Sequence, residues 1–391
     1  MRLLTGTLFA MLLFGLTACE KPSILLNQPN EDVRSLGGFI SNNYDYSLFA
    51  AALAYTGLLD TLNNPGEFTV LAPNNTAFNE LGISSPDDFQ HMNRDSLRYV
   101  MAYHILPYAL LEANIPEGIV DLRYETLAGE RLYASRVISV FEGNYVYRTV
   151  GSTRTATDHA VTFSGADAIT TDRIMSNGVM HSLAKLMKPF PGVTVQSWLA
   201  ARQQYSTFVA GLKKFGLWDE LAGEGPFTIF ATQNDVYLSQ GITAEFIANM
   251  DTSQYIGARL FGANIMYKKW YFTLDNDFYL HLQRQWWYVD AVKGDSTYKQ
   301  IFFGSEKASS FYSTTDLQNF TRTSYSLGIS PSVAGGNYLG SGSSTPSGSS
   351  YYPYCVGFYR ALNDNLCTNG LVHDLQGVLV LPDQARSSDD F

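Results

Sequence analysis

Cysteine, charge and catalytic signatures are all scarce in this chain of 391 residues. Charged residues make up only 16%, and no long basic run occurs, which argues against a nucleic-acid partner. The chain has 3 Cys, and with one of them at position 19 the remaining pair alone makes no zinc site. The patterns G-x-S-x-G, H-E-x-x-H, G-x-G-x-x-G and a Walker loop are all missing. "GGNYLGSGSSTPSGSS" at 335–350 is glycine-rich but has no lysine and leads into no helix. It reads as a surface loop rather than a phosphate cradle. The acidic pairs Asp87-Asp88 and Asp389-Asp390 read as solvated loop charges. Neither a cofactor nor a metal is expected.

What is abundant is apolar and aromatic surface. The chain is 46% hydrophobic and 14% aromatic, with 25 Tyr and 24 Phe. That is far from a disordered composition and suffices for two cores. The net charge of −10 favours solubility and says little about ligands. At the start, "MRLLTGTLFAMLLFGLTAC" has one early cation, Arg2, and an apolar run from Leu8 to Leu16. That run is short for a membrane span and fits a signal-peptide core over 1–18. Its ending "LTAC" resembles the bacterial lipobox, which implies lipidation of Cys19. Residues 19–35 then read as a tether. Cys355 and Cys367 stand 12 positions apart, and a disulfide between them fits an oxidising compartment; the alternative is two unpaired thiols.

A repeat organises the rest. "YSLFAAALAYTGLLDTLNNPGEFTVLAPNNTAFNELGI" (46–83) aligns without a gap to 205–242, with 16 of 38 positions identical at an offset of 159. Each copy closes on one motif, "NGVMHSL" at 177–183 and "NGLVHDL" at 369–375, now at an offset of 192. The second copy therefore carries 33 extra residues, placed at about 295–360.

Each copy reads as helices first and paired strands later, an α+β pattern. Gly57 and Gly216 mark helix ends. "EFTVLA" and "PFTIFA" read as strands. Asn74 or Asn75 is a candidate helix cap, and "SLRYVMAYHIL" (96–106) reads as a helix capped by Asp95 or Ser96. In both closing motifs an Asn-Gly turn leads into a strand.

"FTVLAPNNTAF", "AYHIL" and "ADAITTDRIMSNGVMHSLAKLMKP" together resemble, in order, the signature blocks of the fasciclin (FAS1) domain. The likeness covers 36–190, and 197–382 more weakly, where "FGANIMY" replaces the Tyr-His motif; 383–391 is a tail. It implies two tandem FAS1-like domains, each a β-sheet wedge with a helical cluster. It also implies adhesion or surface recognition without catalysis, and lipid-anchored FAS1 proteins of this kind resemble those of Bacteroidota.

Against that background, His181 and His373 read as structural histidines, as do Asn177, Gly178, Asn369 and Gly370 beside them. Three groups could bind a partner: Tyr103-His104, by resemblance to an adhesion motif of animal relatives; Trp286 and Trp287; and Tyr351 and Tyr352 in the added segment. The expectation places recognition mainly in the second copy. The first functional class is a lipid-anchored surface protein of the outer membrane, facing outward or toward the periplasm, that adheres to or binds a protein or glycan. The second is an accessory glycan- or peptide-binding subunit of a TonB-dependent, SusCD-like uptake complex.

Overall fold

A computed structural model describes residues 33–140, 157–273, 286–304, 325–331, 356–357, 363–375 and 377–387. The first copy opens with short helices. These are α1 (Leu36–Ser41), α2 (Ser47–Thr56), α3 (Asn75–Asn79) and α4 (Arg94–Tyr103). Polar side chains begin three of them. Ser35, Asn74 and Asn93 accept from the backbone N–H groups of Gly38, Ala77 and Ser96. Gly57 ends α2 in the left-handed region at φ 73°.

The sequence places a cap at Asp95 or Ser96 and runs the helix to 106; the structure corrects both. Asn93 is the cap, and the helix stops at Tyr103. The two residues after His104 peel off as a strand because Ile105 and Leu106 pair antiparallel with Val70 and Thr69.

The first-copy strands are β1 (Phe68–Pro73), β2 (Ile105–Leu106), β3 (Ile119–Glu125), β4 (Arg131–Val140), β5 (Thr157–Phe163), β6 (Ala166–Met175) and β7 (Gly178–Leu183). They form one sheet in the order β2-β1-β7-β6-β5-β4-β3. β1 and β7 lie parallel next to the β2 edge, Phe68 opposite Gly178 through Pro73 opposite Leu183. Both faces of β1 are covered. Val70 and Ala72 face a core with Phe49, Leu53 and Met101, and Leu71 faces another with Tyr103, Leu106 and Phe163. Burial on both sides explains a continuous apolar run in place of strict alternation.

β8 (Lys188–Phe190) follows, then α5 (Val195–Ala200), α6 (Ser206–Lys214), β9 (Phe227–Thr232) and β10 (Ile265–Tyr267). The chain continues through β11 (Trp286–Val292), β12 (Asp295–Gly304), β13 (Tyr325–Pro331), β14 (Val356–Gly357), β15 (Asn365–Cys367) and β16 (Gly370–Leu375). A second sheet runs β10-β9-β16-β15-β8. β9 and β16 repeat that parallel pair, Phe227 opposite Gly370 through Thr232 opposite Leu375. β11 to β14 form a separate four-stranded sheet.

The two halves are not separated by a free linker. β8 pairs parallel with β15, so the strand Lys188–Phe190, which the sequence reading assigns to the first unit, belongs to the second sheet. Beside it, Lys185 and Asp364 form a buried ion pair across the seam. Tyr133 of the first half packs on Phe272 and Leu371 of the second, with Trp270 at the margin. Gly165 faces Asp364 so closely that a Cβ there would collide with the carboxylate side chain.

Candidate interaction site

The repeated Asn-Gly-x-x-His motif is a set of internal fastenings. Leu36 N–H donates to Asn177 Oδ1 at 2.8 Å, and Asn177 Nδ2 donates to the Leu62 and Asn64 carbonyls at 2.8 Å each. In the second copy Val195 N–H donates to Asn369 Oδ1, and Asn369 Nδ2 donates to the Leu221 and Gly223 carbonyls. Each Asn thus ties the first helix of its copy to the turn ahead of β1 or β9. The glycines beside them, Gly178 and Gly370, lie against the Phe68 and Phe227 carbonyls of the neighbouring strand, where any Cβ would collide.

The histidines are fully buried and equally occupied. Asp172 N–H donates to His181 Nδ1 at 3.2 Å, and Asp364 N–H to His373 Nδ1 at 3.2 Å. A backbone N–H can only donate, so the ring proton sits on Nε2 and points at the Leu110 carbonyl in one copy and the Tyr271 carbonyl in the other, both at 2.8 Å. The acceptor role at Nδ1 relies on Asp172 and Asp364 holding left-handed backbone at φ 56° and 58°. Burial pulls the His181 pKa below the usual imidazole value and brings His373 to about 4.

Tyr103 and His104, a candidate binding pair from sequence, are both inaccessible, which corrects that expectation. Tyr103 Oη donates to the Arg131 carbonyl at 2.9 Å and lies 2.9 Å from Ser164 Oγ. His104 Nε2 accepts from Met187 N–H at 3.1 Å, so its Nδ1–H donates to the Val100 carbonyl at 2.8 Å. Burial lowers its pKa to about 4. The helix end drives this pair inward, between the two cores of the first copy.

The accessible concavity lies elsewhere. A cleft of about 610 Å³ opens in the first copy between the start of α2, the start of α3 and the middle of β6. Tyr44, Tyr46, Asn74, Asn79, Arg173 and Ser182 contribute to its walls. Asn75 fixes the wall by accepting from Leu48 N–H and donating to the Tyr44 carbonyl and Ser47 Oγ. Tyr46 Oη donates to Ser182 Oγ at 2.8 Å across the floor. Tyr44 stands at the rim, 86% exposed. The Arg173 guanidinium lies over the Phe39 ring, 4.9 Å from its centroid.

The family profile described as Fasciclin domain matches residues 44–189, the segment that holds this cleft and the Asn177, Gly178 and His181 motif. Residues 44–189 are a fasciclin domain. The chain is 29% identical over 198 residues to the pig transforming growth factor-beta-induced protein ig-h3, covering 49% of this chain and 25% of that protein. It is 26% identical over 171 residues to protein sll1483 of Synechocystis, covering 44% of this chain and 82% of that one. Among solved structures, a FAS1 domain pair from the insect cell adhesion molecule Fasciclin I is 17% identical with a TM-score of 0.35, covering 88% of this chain and 99% of that one. The chain spans about a quarter of the pig protein's length.

Beyond the fasciclin domain, Trp286 and Trp287 sit on β11 opposite Phe303 and Phe302, and their side chains lie outside the described residues. Tyr351, Tyr352, Cys355 and Cys19 lie outside them altogether. Cys367 is a buried free cysteine, and its candidate partner Cys355 lies outside the described residues. Cys367 packs in the core of the second copy. Burial raises its pKa to about 12 despite the nearby Arg202. Among the described residues no group of three or more His, Cys, Asp or Glu is arranged to hold a metal ion. No described helix is long and apolar enough to cross a membrane.

Sequence reasoning missed the cleft because it is built from four separated segments, none unusual alone. The one usable signal was "NNYDYS" at 42–47, where a tyrosine on each side of an aspartate precedes a helix.

Proposed function

We propose that this protein is a non-enzymatic surface lipoprotein that works by adhesion or by holding a partner on its fasciclin fold, in both copies. One observation carries the reading. Among the described residues, the histidines of the repeated motif and of the Tyr-His pair, His181, His373 and His104, and Tyr103 are buried and committed to backbone and hydroxyl partners. What remains accessible is surface, and surface supports binding rather than turnover.

The anchor is Cys19, in the outer membrane with the folded part outward. Replacing Cys19 by Ser should move the protein from the membrane fraction to the soluble fraction or leave an unprocessed precursor. Detergent partitioning unchanged by the substitution would refute the anchor. Adhesion is tested by comparing cells that carry the intact protein with cells that lack it for attachment to host-derived and bacterial surfaces. Equal attachment on every surface would refute it.

The 33 residues by which the second copy exceeds the first support a second reading, an accessory subunit of an outer-membrane uptake complex. Extra structure on one copy of a repeated scaffold is where a partner-specific contact is expected. Affinity isolation of the lipoprotein from membranes separates the readings, since only the second predicts a co-purifying TonB-dependent transporter.

A further inference from the structure

The cleft of the first copy has the chemistry of a sugar site. Its walls offer side-chain hydroxyl and amide groups in place of a charged cluster. Among the described residues lining it, Asp45 and Arg173 are the charged ones, and their signs oppose. At the rim the Tyr44 ring is 86% exposed, although an aromatic of that size is normally covered. An exposed ring beside hydroxyl and amide groups suits a pyranose, which presents a C–H face for stacking and a ring of hydroxyls for hydrogen bonding. The volume of about 610 Å³ lies within the span of roughly 300–1,000 Å³ usual for small-ligand sites.

The duplication supplies an internal comparison. At the equivalent floor of the second copy, Asp374 stands where the first copy has Ser182, and Gln233 where it has Asn74. There Tyr205 Oη and Gln233 Nε2 both donate to Asp374 Oδ1 at 2.9 Å, and the floor is cross-braced. In the first copy Asn74 is shorter by one methylene, its Oδ1 accepts from Ala77 N–H, and Tyr46 meets only the Ser182 hydroxyl. At the rim, Tyr44 and Asn79 are replaced in the second copy by Gln203 and Leu238. The same scaffold therefore carries one floor with a single hydroxyl bridge and one braced twice at Asp374, and the aromatic platform accompanies the less braced one.

We infer that the cleft formed by Tyr44, Tyr46, Asn74, Asn79, Thr170 and Ser182 binds a neutral saccharide, one or two residues of a glycan chain. Tyr44 stacks on the ring, and the Asn74 and Asn79 amides with the Thr170 hydroxyl take its hydroxyls, above a floor held by Tyr46 and Ser182. The balance of Asp45 against Arg173 disfavours uronic and sialic acids. This deepens the adhesion reading by naming the ligand class, and it rests on that reading for its biological setting only.

The test is an array of neutral and acidic oligosaccharides probed with the full mature chain from residue 19, held in detergent. Three variants accompany it. Tyr44→Ala removes an exposed ring, Tyr44→Phe restores it, and Asn74→Gln with Ser182→Asp installs the bracing that the second copy already tolerates. The expected result is a neutral oligosaccharide bound by the intact protein. Binding should fall at least tenfold with Tyr44→Ala, be retained with Tyr44→Phe, and be lost in the double variant, with the melting temperature of Tyr44→Ala unchanged. Three outcomes overturn the inference: no neutral oligosaccharide bound, acidic ones alone bound, or the same neutral glycan bound equally by Tyr44→Ala. If cells carrying Tyr44→Ala adhere as well as those carrying the intact protein, the sugar site falls while the adhesion reading stands.

Discussion

Lys185 and Asp364 meet as a buried ion pair although 179 positions separate them. Asp364 also accepts from Thr273 N–H at 2.7 Å and from Thr273 Oγ1 at 2.6 Å. Burial opposes its charge, but Lys185, His373 and these hydrogen bonds bring its pKa below the usual carboxylate value. Breaking such a pair from one side strands the other charge, at a cost of about 3–5 kcal/mol. Lys185→Met should therefore lower stability strongly, and the paired change Lys185→Met with Asp364→Asn, which removes the stranded charge and keeps a residue that tolerates the left-handed backbone, should recover part of the loss. Urea denaturation of the single and double variants measures this, and a double variant no better than the sum of its parts would contradict it.

The seam bears on fragments as well. A chain ending at 187 keeps the whole first sheet but leaves Lys185 and Tyr133 without their second-copy neighbours. It should fold cooperatively and melt below the first transition of the full chain. Calorimetry of both proteins decides the point, and equal melting temperatures would mean the seam contributes nothing.

Asn177 and Asn369 should be as important as any core residue. Each side chain makes three hydrogen bonds to backbone groups. At roughly 1 kcal/mol each, Asn177→Ala should cost about 3 kcal/mol. Gly178→Ala should be at least as damaging, because the new methyl meets the Phe68 carbonyl. Thermal melts of the two variants check both expectations, and a shift of a degree or less for either would refute it.

Much of this was legible in the sequence, and the reasons are physical. The repeat and its Asn-Gly-x-x-His seams stood out because one backbone geometry, used twice, demands the same residues twice. The roles within the motif were less visible. Asn177 reads as a turn residue, yet its side chain works at a distance of 141 positions on Leu36. Tyr103 and His104 look like a surface motif on a helix, and only the strand that follows reveals that the helix end is buried. Lys185 in "SLAKLMKP" looks like an ordinary solvated lysine, since nothing local announces Asp364. The cleft was illegible for the same reason, being assembled from segments as far apart as Tyr44 and Ser182.

The buried histidines make stability depend on pH with a definite sign. His104 and His373 titrate near 4 when folded and near 6.5 when unfolded, both displaced mainly by burial, and His181 moves in the same direction. Between those values the unfolded chain binds protons that the folded chain refuses, so stability is full above about pH 6.5 and falls as pH drops toward 4. Urea midpoints measured from pH 7.5 to 4.5 should decline steadily, and His104→Gln should flatten the slope. A slope unchanged in that variant would rule out His104 as a contributor.

Cys367 should resist alkylation in the folded protein. Its thiol is buried and its pKa lies near 12, so almost no thiolate is present at pH 8. Mass spectrometry after iodoacetamide should find it unmodified without denaturant and modified in urea. Labelling of Cys367 in the native state would contradict the buried placement.

The pairing of β8 with β15 also bears on how the molecule carries load. If the proposed lipid anchor holds one end of the chain and a bound partner the other, tension runs along the chain. Here the pull leaves the first copy through Lys188–Phe190, a strand laid parallel to Asn365–Cys367. Tension along that strand acts in shear across its ladder positions together, whereas a flexible connector would let the copies swing apart before anything resisted. Under that load the joint between the copies would act as a clamp, and the two halves would bear tension together until the ladder between Lys188–Phe190 and Asn365–Cys367 yields.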